Sequence, residues 1–252
     1  MIQFEVRSPV AIITLDRPHI RNAIDRSDAE EIERLVDFIE ADDSIWVTVI
    51  TGAGSVFCSG ANVKALANGE GPAKTERGGF AGIARRPRSK PLIAAVNGPA
   101  FAGGCEIVLA CDLVVAASNA AFALSEVKRS MVAAAGGLYH LPRSIPVNVA
   151  MEMAITGDPI SAERAYQVGL VNTLVAPEQL MDAAIALALR VCANAPLAVR
   201  ETRRVLLEGL SQDVADAMAA AEASMSQIRA TADFAEGTRA FLEKRAPAWR
   251  AC

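Results

Sequence analysis

The chain has 252 residues, 25 Lys and Arg against 29 Asp and Glu, and is 52% hydrophobic and 21% charged. A net charge of −4 without any basic block argues against electrostatic capture of nucleic acid or of an anionic membrane. At roughly 150 residues per domain the length suffices for a sizeable core and a cleft, so a small-molecule partner is expected.

Residues 2–7 and 10–15 are apolar, β-branched runs around Ser8-Pro9 and predict a hairpin. Ser27-Asp28-Ala29-Glu30 has the form of a capping box. Beyond it Ile32, Leu35, Val36 and Ile39 recur on one helical face, which predicts a helix packed on a sheet. Near-continuous apolar runs at 45–50, 92–96 and 112–117 predict strands covered on both faces, and their alternation with helix predicts α/β architecture. The Gly-, Lys- and Arg-rich stretch 68–90 reads as a mobile segment flanking a site. From 146 the pattern is helical, at 146–156, 161–168, 177–194, 196–208, 213–230 and 234–244, with one short strand at 170–175. The expected division is a core over 1–195 and a helical C-terminal region over 196–252.

Five cysteines without a C-x-x-C pair read as reduced structural thiols, and a cytoplasmic location is expected. The opening residues alternate and carry Glu5, so no cleaved export signal is read. The apolar stretches fall short of the roughly 18 residues that a membrane span needs.

The two histidines, His19 and His140, have no metal-ligand spacing and no adjacent nucleophile, which argues against Ser-His-Asp or zinc chemistry. Thr51-Gly52-Ala53-Gly54 follows a strand where a dinucleotide fingerprint would sit, but Phe57 occupies the third glycine position. No phosphate-cradling P-loop is present. Two segments remain, 57–62 and 97–106, each following a buried strand and opening toward a helix. Such turns present free N–H groups that suit anionic oxygen, and two facing each other make an oxyanion hole. The plainer alternative is that their glycines serve tight turns and close packing. Glu106 and Glu126 stand at the edges of apolar runs, where burial raises a carboxyl pKa into the range useful for proton transfer. Here too a plainer reading stands beside it, with Glu106 in a salt bridge and Glu126 in the first turn of a helix.

These segments, together with Leu15-Asp16-Arg17-Pro18, Arg21-Asn22-Ala23, Cys111-Asp112-Leu113, Gly136-Gly137, Thr156-Gly157, Gly169-Leu170-Val171-Asn172 and the terminal Phe241 to Arg245, occur in an order that resembles the crotonase family, the enoyl-CoA hydratase/isomerase superfamily, over essentially the whole chain. The resemblance implies a spiral of ββα units with a helical C-terminal trimerisation region, assembled as a homotrimer or as a hexamer made of two trimers. It implies an acyl-CoA thioester as substrate, coenzyme A being part of that substrate, with no metal and no other cofactor. Carried over by position, the N–H groups of Ala61 and Gly103 hold the thioester oxygen. The turn Ser59, Gly60, Ala61 holds the adenine through its carbonyls. Arg21 and Lys64 lie near the CoA phosphates or pantetheine, Ala23, Asn62 and Ala134 line the bound thioester, and Lys244 reaches a phosphate in a neighbouring subunit. For the basic side chains a solvated face is the alternative.

Both glutamates of the family's hydratases match here, Glu106 orienting water and Glu126 chiefly supplying the proton to C2. That pair implies reversible addition of water to a trans-2-enoyl-CoA, in fatty-acid or carboxylic-acid metabolism. The alternatives are an enoyl-CoA isomerase, another acyl-CoA dehydratase, a hydrolase or lyase of the same superfamily, or a noncatalytic acyl-CoA-binding scaffold. Three departures from the family pattern, Asn62 for Asp, Ser130 for Gly and Ala133-Ala134-Ala135 for Pro-Gly-Ala, fall at the first turn and along the implied acyl pocket, and the 68–90 segment is where specificity diverges in the family.

Overall fold

Apolar strands interleaved with helices leave the chain one economical arrangement, a parallel sheet buried on both faces. The computed structural model describes residues 1–252, the side chain of Leu66 excepted. Strands β1 (Ile2–Arg7) and β2 (Val10–Leu15) form the expected hairpin. Helix α1 (Arg26–Ala41) buries Ile32, Leu35, Val36 and Ile39 as its periodicity requires. The chain continues through β3 (Val47–Gly52), α2 (Val63–Ala67), β4 (Lys74–Thr75), β5 (Gly79–Phe80), β6 (Leu92–Val96), β7 (Ala100–Phe101), α3 (Gly103–Ala110), β8 (Leu113–Ala117) and β9 (Ala121–Ala123). A 3-10 turn at Ser125–Arg129 leads to α4 (Gly137–Ser144), α5 (Val147–Thr156), β10 (Ile160–Ser161), α6 (Ala162–Gln167) and β11 (Thr173–Val175). Four helices follow, α7 (Leu180–Cys192), α8 (Pro196–Gly209), α9 (Val214–Arg229) and α10 (Ala232–Glu243).

The main sheet has the order β1-β2-β3-β6-β8-β11, parallel except for the first pair. Successive residues of a strand serve two cores. Leu92, Ala94 and Val96 of β6 face the core shared with α1 and α3, while Ile93 and Ala95 face α7. Ala184 and Ala188 put only methyl groups on the α7 side of that contact, which lets the helix lie close. A second sheet, β10-β9-β7, stands at the end where β6 leads into α3.

One boundary departs from the sequence pattern. The N-cap of α1 is Asp25, not Ser27; the Asp25 side chain accepts from Asp28 N–H at 3.0 Å, and Asp28 accepts from Asp25 N–H at 3.3 Å. Two carboxylates at the positive end of the helix, both bound by Arg17, outcompete a neutral hydroxyl there, and Ser27 instead donates to Asp25. The segment 68–90, read as mobile, is tied down in the fold. It carries the β4/β5 hairpin, Arg77 and Arg86 pair with Asp37 of α1, and Ala81, Ile83 and Ala84 are buried. Lys90 at its end is buried too, and its ammonium caps α1 by donating to the carbonyls of Ile39 and Asp42 at 2.5 and 2.7 Å.

The C-terminal helices are attached to this core by polar contacts. Arg203 of α8 donates to Asp112 at 2.9 Å and to the Arg88 carbonyl at 2.6 Å, and Asp112 also accepts from Leu92 N–H at the start of β6. Trp249 donates to the Ala193 carbonyl at 2.9 Å. Among the described residues no single helix is long and apolar enough to cross a membrane.

Candidate active site

Because β3 and β6 are adjacent and parallel, with Thr51 opposite Ala95, their C-terminal ends deliver two turns side by side. Backbone hydrogen bonds join the turns. Phe57 and Cys58 N–H both point to the Pro99 carbonyl, at 3.1 and 3.3 Å, and Phe101 N–H donates to the Cys58 carbonyl at 3.0 Å. The first turn is braced by Asn22, buried and in the left-handed region, whose amide donates to the carbonyls of Ala53 and Val56 at 2.9 and 2.7 Å. It is tied to the preceding chain by Ser59 N–H to the Arg21 carbonyl at 3.1 Å and Ile24 N–H to the Gly60 carbonyl at 2.9 Å.

At Gly60, with φ +98°, a side chain would stand 3.1 Å from the Gly103 nitrogen, so the turns meet at these two residues. Gly103 opens α3, and a Cβ there would overlap the Phe80 ring. Ala102 just before it holds φ 50° and ψ −124°, an unfavourable conformation for alanine, which aims the first amide of the helix outward. Among the described residues neither Ala61 N–H nor Gly103 N–H finds an acceptor within the protein. Two free amides, one at a helix N-terminus, offer a binding place for an oxygen that gains negative charge.

Both glutamates are buried beside these turns. Glu106, in the first turn of α3, forms no salt bridge among the described residues; its Oε1 accepts from Ala135 N–H at 2.7 Å and Gly137 N–H at 3.0 Å. Burial pushes its carboxyl above the usual carboxylate range, against the pull of those two donors. Glu126 sits in the 3-10 turn, as the plainer reading of its sequence position had it, yet its Oε2 is buried without a partner. Burial raises the Glu126 carboxyl and the charge of Glu106 raises it further, while its own backbone N–H and Arg129 oppose. The two carboxyls are thus coupled and differently held. Glu106 has two donors to stabilise its anion, and Glu126 has an oxygen free to carry a proton.

Thiol and imidazole chemistry find no support. Burial pushes the Cys58 thiol up to about 12 and the Cys105 thiol higher still. His140 lies half-buried on α4 against Tyr139, with burial and then the Arg88 and Arg143 charges lowering its pKa, and His19 is exposed. Among the described residues no cluster of three His, Cys, Asp or Glu has metal-binding geometry.

A cavity of about 300 Å³ adjoins the site. Of the residues expected from sequence, Ala61, Asn62 and Ala134 line it, and Ala135 connects it to Glu106. Asn62 caps α2 by accepting from Ala65 N–H at 3.3 Å. Arg21 and Lys64 are exposed, Ala23 is buried next to the first turn, and Lys244 caps α10, away from the cavity lining. Ser130 holds φ 57°, a left-handed position that explains why a glycine would serve there. Sequence reasoning missed Lys74, Phe80 and Arg85, which also line the cavity; the only signal was their place in the 68–90 segment.

Residues 5–251 match the family model for enoyl-CoA hydratase/isomerase. The chain is 38% identical to an (E)-benzylidenesuccinyl-CoA hydratase of Thauera aromatica, covering 99% of this chain and 98% of that one, and 40% identical to a mevalonyl-coenzyme A hydratase of Aspergillus fumigatus, covering 96% and 91%. A solved enoyl-CoA hydratase of Mycobacterium tuberculosis superposes with a TM-score of 0.96 at 41% identity, over 100% of this chain and 99% of that one.

A buried carboxyl with a raised pKa has a signed effect on stability. In acid both folded and unfolded chains hold the proton; as pH rises the unfolded chain ionises first, and the folded state loses stability until pH passes its own higher pKa. Glu126→Gln, which lacks this loss, is therefore expected to match the parent in acid and to exceed it at neutral pH in urea denaturation. Equal stability at both pH values would contradict the burial argument.

Proposed function

The chain belongs to the enoyl-CoA hydratase/isomerase family, the crotonase superfamily, and from that premise we propose that it adds water reversibly across the double bond of trans-2-enoyl-CoA thioesters. The relatives named above are hydratases of CoA thioesters that differ in acyl group, and this chain is an enzyme of the same hydratase or dehydratase type. The observation that supports addition of water to an enoyl thioester is the unequal glutamate pair beside two free amides.

The chemistry follows from that inequality. Glu106, ionised and fixed through Oε1, keeps Oε2 for a water and takes its proton as the oxygen bonds to C3. The electron pair of the double bond moves toward the thioester oxygen, which Ala61 and Gly103 N–H stabilise; one such donor contributes about 3 kcal/mol at a transition state. Glu126, protonated, delivers its proton to C2. Return of the proton from Glu106 to Glu126 restores the pair, and the sum is one water added. Dehydration runs the same steps backward. Nothing in this sequence of steps requires a cofactor beyond the coenzyme A of the substrate.

The assembly proposed is a homotrimer or hexamer, and the C-terminal helices support it. Val214, Met218, Phe241 and Leu242 are 76%, 62%, 83% and 75% exposed in the single chain, too much apolar surface for free helices in water. Light scattering is expected to give the mass of three or six chains; a clean monomer would contradict the assembly.

Glu106→Gln and Glu126→Gln are each expected to lower kcat for crotonyl-CoA hydration by about 10²- to 10⁴-fold. The parent is expected to place solvent oxygen at C3 in ¹⁸O-water. A shifted double bond with no oxygen incorporated would overturn the hydratase reading in favour of an isomerase.

A further inference from the structure

The cavity beside the site has mostly apolar walls, yet two cations line it, Lys74 and Arg85. Among the described residues neither forms an ion pair, and Arg85 makes one hydrogen bond from its side chain, to the Glu76 carbonyl at 3.2 Å. The one acidic side chain in the lining, Asp25, is already engaged with Arg17 and with the cap of α1. The cavity is therefore bordered by positive charge, on two exposed side chains, that no carboxylate of the protein neutralises.

The β4/β5 hairpin fixes where that charge sits. Lys74 is the cross-strand partner of Phe80, so the two side chains leave the same face of the hairpin. The Phe80 ring covers Gly103, one of the two free amides. Lys74 is thus a single cross-strand step from the residue that packs on the reaction centre. Arg85 is held by the same hairpin. Its aliphatic stem runs over Gly79, where a Cβ would meet Cγ and Cδ of Arg85, and its N–H donates to the Gly78 carbonyl at 3.0 Å.

Resting on the reading of this site as a thioester hydratase, we propose that the acyl group it accepts carries a second anionic group, a carboxylate, which Lys74 and Arg85 of the cavity wall receive. Lys74 and Arg85 are both exposed, at the open side of the cavity, where a guanidinium and an ammonium can take up a carboxylate through charge-assisted hydrogen bonds in place of water, whereas an acyl chain ending in a methyl offers them no partner. The substrate class is the CoA monothioester of an unsaturated dicarboxylic acid.

The test compares trans-2-hexenedioyl-CoA with trans-2-hexenoyl-CoA, which share a six-carbon acyl chain and differ in the terminal carboxylate. The parent is expected to show a kcat/KM at least 10-fold higher for the first. Lys74→Gln with Arg85→Gln is expected to remove that preference while leaving the second substrate within about 2-fold. A parent that prefers the neutral substrate overturns the proposal. Equal losses on both substrates also overturn it, since they assign the two cations to the coenzyme A phosphates or to the hairpin's stability. Calorimetric binding of the saturated pair, adipoyl-CoA against hexanoyl-CoA, separates this proposal from the hydratase reading. Tighter adipoyl-CoA binding by the parent, lost in the double variant, supports the carboxylate site even if neither enoyl substrate is hydrated; equal affinities contradict it.

Discussion

The site depends on how closely two backbone turns approach. For the amides of Ala61 and Gly103 to serve one oxygen, as proposed, the chain ends of β3 and β6 must emerge together and nothing larger than a hydrogen can stand between Gly60 and Gly103. The parallel pairing of the two strands supplies the first condition. The hydrogen bonds of Phe57, Cys58 and Phe101 across the turns supply rigidity. The cost is local strain, with Ala102 and Asn22 both at positive φ. Each such residue costs about 1–3 kcal/mol, which the buried sheet beneath has to outweigh.

Electrostatics follows from the same geometry. Placing Glu106 and Glu126 next to amides that must stay free of internal partners puts two carboxyls in a poorly hydrated place, where burial raises both. The backbone resolves the conflict unevenly, giving Glu106 two donors from the 135–137 segment and leaving Glu126 Oε2 with none. In the proposed mechanism a base and an acid arise from two identical side chains because their surroundings differ. Burial raises the Cys58 and Cys105 thiols as well, and nearby carboxylate charges raise them further, which disfavours the thiolate.

What the sequence revealed and what it hid have physical reasons. The face of Ile32, Leu35, Val36 and Ile39 and the run Leu92–Val96 were legible because burial imposes a period on many residues at once. The pairing of Glu106 with Glu126 and of Ala61 with Gly103 was reached through ordered motifs, since twenty or more residues separate the members of each pair. The α1 cap was misplaced by two residues because Arg17, distant in sequence, decides between Asp25 and Ser27. Lys74, Phe80 and Arg85 were not singled out because a two-residue strand pair carries no periodicity, and only the fold sets their side chains into the cavity wall. Ser130 was visible as a departure, but its left-handed backbone was not.

The proposed mechanism requires the amides of Ala61 and Gly103 to polarise the thioester carbonyl before chemistry begins. Infrared difference spectroscopy of [1-¹³C]butyryl-CoA, a saturated thioester that undergoes no hydration, reads this directly on binding. The carbonyl stretch is expected to move to lower frequency in the bound state, as donation from Ala61 and Gly103 draws charge onto the oxygen. A bound thioester whose carbonyl absorbs where it does in free solution would contradict it.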